Sequence, residues 1–163
     1  MKNKNVTFLT QAAMIAAIYV VLTYLLAPFS FGEIQVRISE ALTILPLFTP
    51  AAVPGLFIGC LIGNILGGAI LPDIVFGSIA TLIGAMLTYS LREQKPILGP
   101  IPPIAANTVI VPFVLRFGYG VNLPIPFMML TVGIGEVISC GILGMILYTA
   151  LSRYHGLIFK EAV

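Results

Sequence analysis

Long apolar runs separated by short polar breaks set the pattern of this chain. Apolar residues dominate about Val6–Ala27, Ser39–Phe48, Ala51–Gly67, Ile74–Leu91, Ile101–Leu115 and Pro126–Ser152. No run alternates with the two-residue period of a half-buried strand, and most approach the roughly 20 residues that a helix needs to cross about 30 Å of hydrocarbon. The pattern therefore predicts an all-α integral membrane protein, a single transmembrane domain folded as a compact bundle of six helices. The second run is too short to span alone, and Pro46, Pro50 and Pro54 punctuate it and the start of the third. One broken helix over both, leaving five spans, is the alternative; an even number agrees better with the charges.

Composition strengthens the reading. The 163 residues are 59% hydrophobic and 9% charged, and mean hydropathy is +1.09. A water-soluble fold would lack the polar surface to cover such a core, so lipid is the solvent for most of the chain. Net charge is only +2 and no basic cluster forms, which argues against nucleic acid as a partner. The basic start "MKNK" resembles a signal peptide, but the following run is too long and lacks a small-residue cleavage site, so it reads as an uncleaved first helix. With both termini in the cytoplasm, Lys2, Lys4, Arg92, Lys95, Arg153 and Lys160 lie inside and only Arg37 and Arg116 outside. That asymmetry is the one the positive-inside rule requires.

Small residues forecast how helices meet. Gly55, Gly59, Gly63 and Gly67 recur every four positions along one stripe, and Ala12 with Ala16, beside Ala13 with Ala17, gives the first helix a similar surface. Such stripes let backbones approach closely, either within the bundle or against another membrane protein.

Polar residues at depth are costly in lipid and mark function or internal pairing. Glu136 lies ten residues into the last run, about 15 Å along a helix, near the midplane. By spacing it shares a face with Met129, Gly133, Cys140 and Gly144. Asn107 reaches similar depth in the fifth run, Asn64 nears the outer end of the third, and Asp73 opens the fourth, where it also suits an N-cap. "FGEIQVRISEALTILPLF" gathers Glu33, Arg37 and Glu40, and the last two are spaced to pair on a helical turn. Together these groups would line an outward-facing polar cavity. Cys60 and Cys140 sit inside apolar runs and read as packing residues rather than a disulfide or metal pair. No HExxH, paired-Cys or phosphate-binding GxxxxGK[ST] motif is present, so no catalytic residue, metal or cofactor is expected, and the chain cannot harness ATP itself.

The segments "QVRISEALTILPLF", "GNILGG", "PDIVFGSIATLIGA", "AANTVIVPF" and "GEVISCGILG" resemble the QueT family, over roughly Thr10 to Leu151 and most strongly from Gln35 to Ala85. Members are substrate-binding (S) components of energy-coupling factor transporters, associated with uptake of queuosine precursors, notably 7-aminomethyl-7-deazaguanine. The resemblance implies a six-helix S-component fold in a bacterial plasma membrane, with a substrate site near the outer face. It also implies docking on a transmembrane coupling protein through an AxxxA surface of the first helix (Ala12 with Ala16, or Ala13 with Ala17) and two cytoplasmic ATPase subunits. For such a ligand, Glu136 would accept the paired N–H donors of the base, and the Asn107 amide would donate to its carbonyl. Glu40, with Asp73 second, would meet the cationic aminomethyl group. Arg37 would orient Glu33 or Glu40, Asn64 would line the wall, and Phe31, Phe76 or Phe127 would stack on the base, under a loop that Phe29, Phe31 and Gly32 let hinge or press down. Two other readings remain open: a small dimeric secondary transporter in which Glu136 cycles protons, and a non-transporting scaffold.

Overall fold

A computed structural model describes residues 4–26 and 37–154, and the regular structure among them is entirely helical. Helix α1 runs from Lys4–Leu25, a 3-10 helix from Ile38–Leu47, α2 from Ala52–Leu66 and α3 from Leu71–Ser90. A short 3-10 turn, Pro96–Leu98, leads into α4, Ile101–Phe117. The last helix, α5, covers Ile125–Ser152 and is π-helical over Val137–Leu143. The segments Lys4–Leu25, Leu71–Ser90, Pro96–Phe117 and Ile125–Ser152 are long and apolar enough to cross a membrane, whereas Ile38–Leu47 and Ala52–Leu66 are shorter apolar helices. The breaks fall at the prolines and glycines that interrupt the hydrophobic pattern, and the second and third runs are separate helices.

Burial is inverted relative to a water-soluble protein. Large apolar side chains point outward, Leu9 at 70% and Phe117 at 77% exposure, while Thr23, Ser39, Asn64, Asp73, Ser78, Thr81 and Thr88 are buried. An apolar exterior around small and polar interior faces suits lipid as solvent. An apolar core of Leu42, Leu45, Phe48, Ala52 and Leu56 fills one end of the bundle, where Phe48 stacks on Tyr148 with ring centroids 5.0 Å apart.

The 3-10 helix is the hub, buried from Ser39 through Pro46 and packed against α1, α3 and α5. Ten residues is long for this conformation. Three residues per turn place Arg37, Glu40, Thr43 and Pro46 along one ridge, so the two charges project on the same side. The i→i+3 bonds are present at both ends, from the Glu40 amide to Arg37 O (2.9 Å) and from the Phe48 amide to Leu45 O (2.9 Å).

The glycine stripe of α2 serves contacts inside the bundle. A Cβ on Gly55 would sit 2.7 Å from Ala12 O, one on Gly59 2.8 Å from Tyr19 Cβ, and one on Gly63 3.2 Å from Thr23 Cβ. Backbone and Cβ atoms cannot swing aside, so α1 could only retreat. Gly59→Ala is expected to lower stability by up to about 2 kcal/mol, an overpacking cost of about 1–3 offset by about 1 from helix propensity. Unfolding in detergent measures it, with Gly133→Ala as control, because a Cβ there would meet only the Thr108 side chain at 3.4 Å. Stability of Gly59→Ala at or above wild type would show that α1 is not pressed on this stripe.

Candidate functional site

Polar side chains from every long helix and the 3-10 hub meet in two joined clusters. In the first, the Arg37 guanidinium pairs with Asp73 Oδ2 at 3.4 Å and donates to Asn64 Oδ1 at 3.5 Å. Asn64 Nδ2 donates to the Asp73 carbonyl at 3.4 Å, and the Tyr119 hydroxyl donates to Asp73 Oδ2 at 3.0 Å. Partial burial and the neighbouring Asp73 charge raise the Tyr119 phenol above its ordinary range, which keeps it a donor.

The second cluster holds two acids. Tyr19 OH donates a hydrogen bond to Glu40 Oε1, and Thr81 Oγ1 approaches the same oxygen at 3.5 Å. Cys140 Sγ donates to Glu136 Oε2 at 3.1 Å and reaches the Glu40 carbonyl at 3.5 Å. Thr43 Oγ1 caps that carbonyl at 2.6 Å, and the Asn107 amide is turned toward both carboxylates. Cys60 joins the clusters, accepting from Asn64 Nδ2 at 3.6 Å and Thr81 Oγ1 at 3.4 Å. The π turn of α5 brings Ser139 and Cys140 to the interior side by side, next to Glu136.

All six candidate residues, Arg37, Glu40, Asn64, Asp73, Asn107 and Glu136, are buried, at 5% exposure or less. Several atoms are left over: Glu40 Oε2, Asp73 Oδ1, Thr108 Oγ1 and Ser139 Oγ are buried with no hydrogen-bond partner among the described residues. A buried polar atom in that state is unfavourable unless something satisfies it, so these atoms mark where a polar ligand would be welcome. One ligand atom each from Glu40, Glu136 and Cys140 lies within 4.8 Å of the others, a set of two hard oxygens and one soft sulfur that could also hold a divalent ion.

Several expectations are corrected. Asp73 is not an N-cap: Ile70 holds that position, and Asp73 sits in the first turn with its side chain committed to Arg37 and Tyr119. Phe76 and Phe127 are 51% and 50% exposed on the outside of the bundle, so neither is placed to stack over the buried acids. The buried face of α5 carries Met128, Val132, Gly135, Glu136, Ser139 and Cys140, whereas Met129 and Gly133 stand beside it half-buried. Ala12 and Ala16 are buried against the glycine stripe, while Ala13 and Ala17 are exposed. Phe29, Phe31, Gly32 and Glu33 lie outside the described residues. Tyr19, Thr43 and Thr81 were missed. Their signal is the spacing of small and polar positions on inner faces, Ala12-Ala16-Tyr19-Thr23 on α1 and Asp73-Gly77-Thr81-Gly84-Thr88 on α3.

The family model described as QueT transporter matches residues 9–153. The chain belongs to the QueT transporter family. Membership of a transporter family implies a non-enzymatic role. A relative, the queuosine precursor transporter QueT of Lactococcus lactis subsp. cremoris, is 34% identical over 96 residues, which are 58% of this chain and 56% of that protein. The similarity thus spans little more than half the length of that relative. No solved structure matches the chain.

Proposed function

We propose that the chain is the substrate-capturing subunit of an energy-coupling factor importer in a bacterial plasma membrane, and that it takes up a queuosine precursor, 7-aminomethyl-7-deazaguanine or a related deazapurine. The observation that carries this reading is the apposition of Glu40 and Glu136 beside Asn107 in the interior of an apolar bundle. A deazaguanine offers adjacent N–H donors on one edge and, in the aminomethyl base, a cation elsewhere; two carboxylates and one amide complement that set. The name of the Lactococcus relative points to the same class of substrate.

In this reading six spans place both termini inside, and the Arg37–Asp73–Tyr119 cluster lies toward the outer face. The coupling protein would dock along α1, on the exposed pair Ala13 and Ala17. These belong to an apolar groove of about 490 Å³ with Leu9, Val20 and Ile58 on its walls. Two ATPase subunits supply the energy for which this sequence has no phosphate-binding loop.

Binding and transport test the reading separately. Purified protein is expected to bind 7-aminomethyl-7-deazaguanine and to reject guanine and riboflavin in titration calorimetry. In proteoliposomes, uptake is expected only when the coupling protein, both ATPases and ATP are present. Uptake by this chain alone, driven by a proton gradient, would instead establish the secondary transporter.

A further inference from the structure

We propose that Tyr19 is a positioning residue of the ligand site: it holds one oxygen of Glu40 so that the other is presented to a cationic group of the ligand. Three observations converge. The Tyr19 hydroxyl donates to Glu40 Oε1, and Thr81 approaches that same oxygen at 3.5 Å, whereas Glu40 Oε2 is buried without a partner among the described residues. Tyr19 is itself 1% exposed, and its Cβ packs closely on Gly59 of α2, so the side chain is buried within the bundle. Glu136 differs, because its Oε2 already accepts from Cys140 and none of its oxygens is both buried and unpartnered among the described residues.

A carboxylate can face a ligand through either oxygen, or through both. Here the Tyr19 hydroxyl occupies Oε1 and fixes the rotation of the group, while the Thr81 hydroxyl, bonded to Gly77 O at 3.1 Å, stands beside the same oxygen at 3.5 Å. Only Oε2 remains to accept, and the buried hydroxyl of Ser139 is similarly unsatisfied. A site with one fixed anionic acceptor prefers a ligand that brings a charged N–H donor to one defined place. Tyr19 would therefore act on charge selectivity, through Glu40, rather than touch the ligand.

This inference rests on the reading of the site as one for a queuosine precursor. The test is calorimetric titration of the full-length protein with 7-aminomethyl-7-deazaguanine and with the neutral 7-cyano base, in wild type, Tyr19→Phe, Glu40→Gln and the double variant. Tyr19→Phe is expected to weaken the amine about tenfold and the cyano base by less than about twofold, the loss of one charge-assisted interaction. In the Glu40→Gln background, adding Tyr19→Phe is expected to change nothing further, because the effect runs through Glu40. Equal weakening of both bases, or an undiminished effect without Glu40, would make Tyr19 a merely structural residue and overturn the inference. Should Tyr19→Phe not fold, Glu40→Gln carries the test: it must lose the preference for the amine over the cyano base, and an undiminished preference would be equally fatal, since Tyr19 acts only through Glu40. A wild type that binds neither base overturns the substrate reading first, which separates the two failures.

Discussion

Glu136→Gln is expected to weaken binding of 7-aminomethyl-7-deazaguanine by about a hundredfold or more while leaving the fold at least as stable as wild type. The substitution keeps shape and volume. It exchanges one carboxylate oxygen for an NH₂, so a ligand N–H that met an acceptor now meets a donor. Losing a charge-assisted hydrogen bond and leaving a buried donor unmet cost about 3 kcal/mol together, and each 1.4 kcal/mol is tenfold in affinity. Stability should move the other way. In the protein without ligand, the carboxylates of Glu40 and Glu136 lie within 4.8 Å, where ionised forms repel across a poorly screening interior. An amide carries no charge, so that repulsion cannot arise in the variant, and its oxygen can still accept from Cys140. Melting in detergent together with ligand titration reads both effects. Wild-type affinity in Glu136→Gln would move recognition of the base to Glu40 or Asp73; a variant that both binds poorly and melts early would make Glu136 structural.

Much of this site was legible because lipid makes polar residues conspicuous. In a chain this apolar, every acid or amide within a hydrophobic run needs a partner or a purpose, so Glu136, Asn107, Asn64 and Asp73 stand out by position alone. Glu40 and Arg37 were found through their clustering with Glu33. Helix positions were equally plain, since prolines and glycines interrupt the pattern where the helices end. Partners across the bundle were not. The sequence pairs Arg37 with Glu40 by proximity, yet the guanidinium reaches Asp73, thirty-six positions away, and Glu40 takes its hydrogen bond from Tyr19. Local spacing cannot reveal these bonds, because they arise only once α1 and α3 close on the 3-10 helix. Tyr19 and Thr81 were overlooked for a related reason: a hydroxyl within an apolar run is common in membrane helices and costs little until its partner is known.

The register of α5 illustrates another limit. A 3.6-residue period puts Met129 and Gly133 in line with Glu136, but the buried positions are Met128, Val132, Gly135 and Glu136. Beyond Glu136 the helix widens into a π turn and turns both Ser139 and Cys140 inward. Such a turn carries roughly one extra residue, which breaks any periodic extrapolation through it. The widening sits at the acid with the greatest predicted functional weight, so the place where the pattern fails is also the place where the site needs an additional inward side chain.

Asp73→Ala is expected to destabilise the folded protein by about 3 kcal/mol, the low end of the usual cost of breaking a buried ion pair. Arg37 and Asp73 side chains are only 6% and 1% exposed, so water cannot replace the lost acid. Tyr119 loses its acceptor as well. The Asn64 amide and the field of Glu40 still favour the guanidinium, which is why the cost should fall at that low end. The double variant Arg37→Met with Asp73→Leu is expected to recover part of the loss, because neither member of the pair is then left unpaired, although Glu40 loses the field of Arg37; chemical unfolding in detergent compares the two. If the double variant is as unstable as the single one, the pair contributes shape rather than charge compensation. The same proteins separate structure from recognition. A stable double variant that still binds 7-aminomethyl-7-deazaguanine confines Arg37 and Asp73 to tying the 3-10 helix to α3. One that is stable but no longer binds brings Asp73, with its unpartnered Oδ1, into the ligand's reach alongside Glu40.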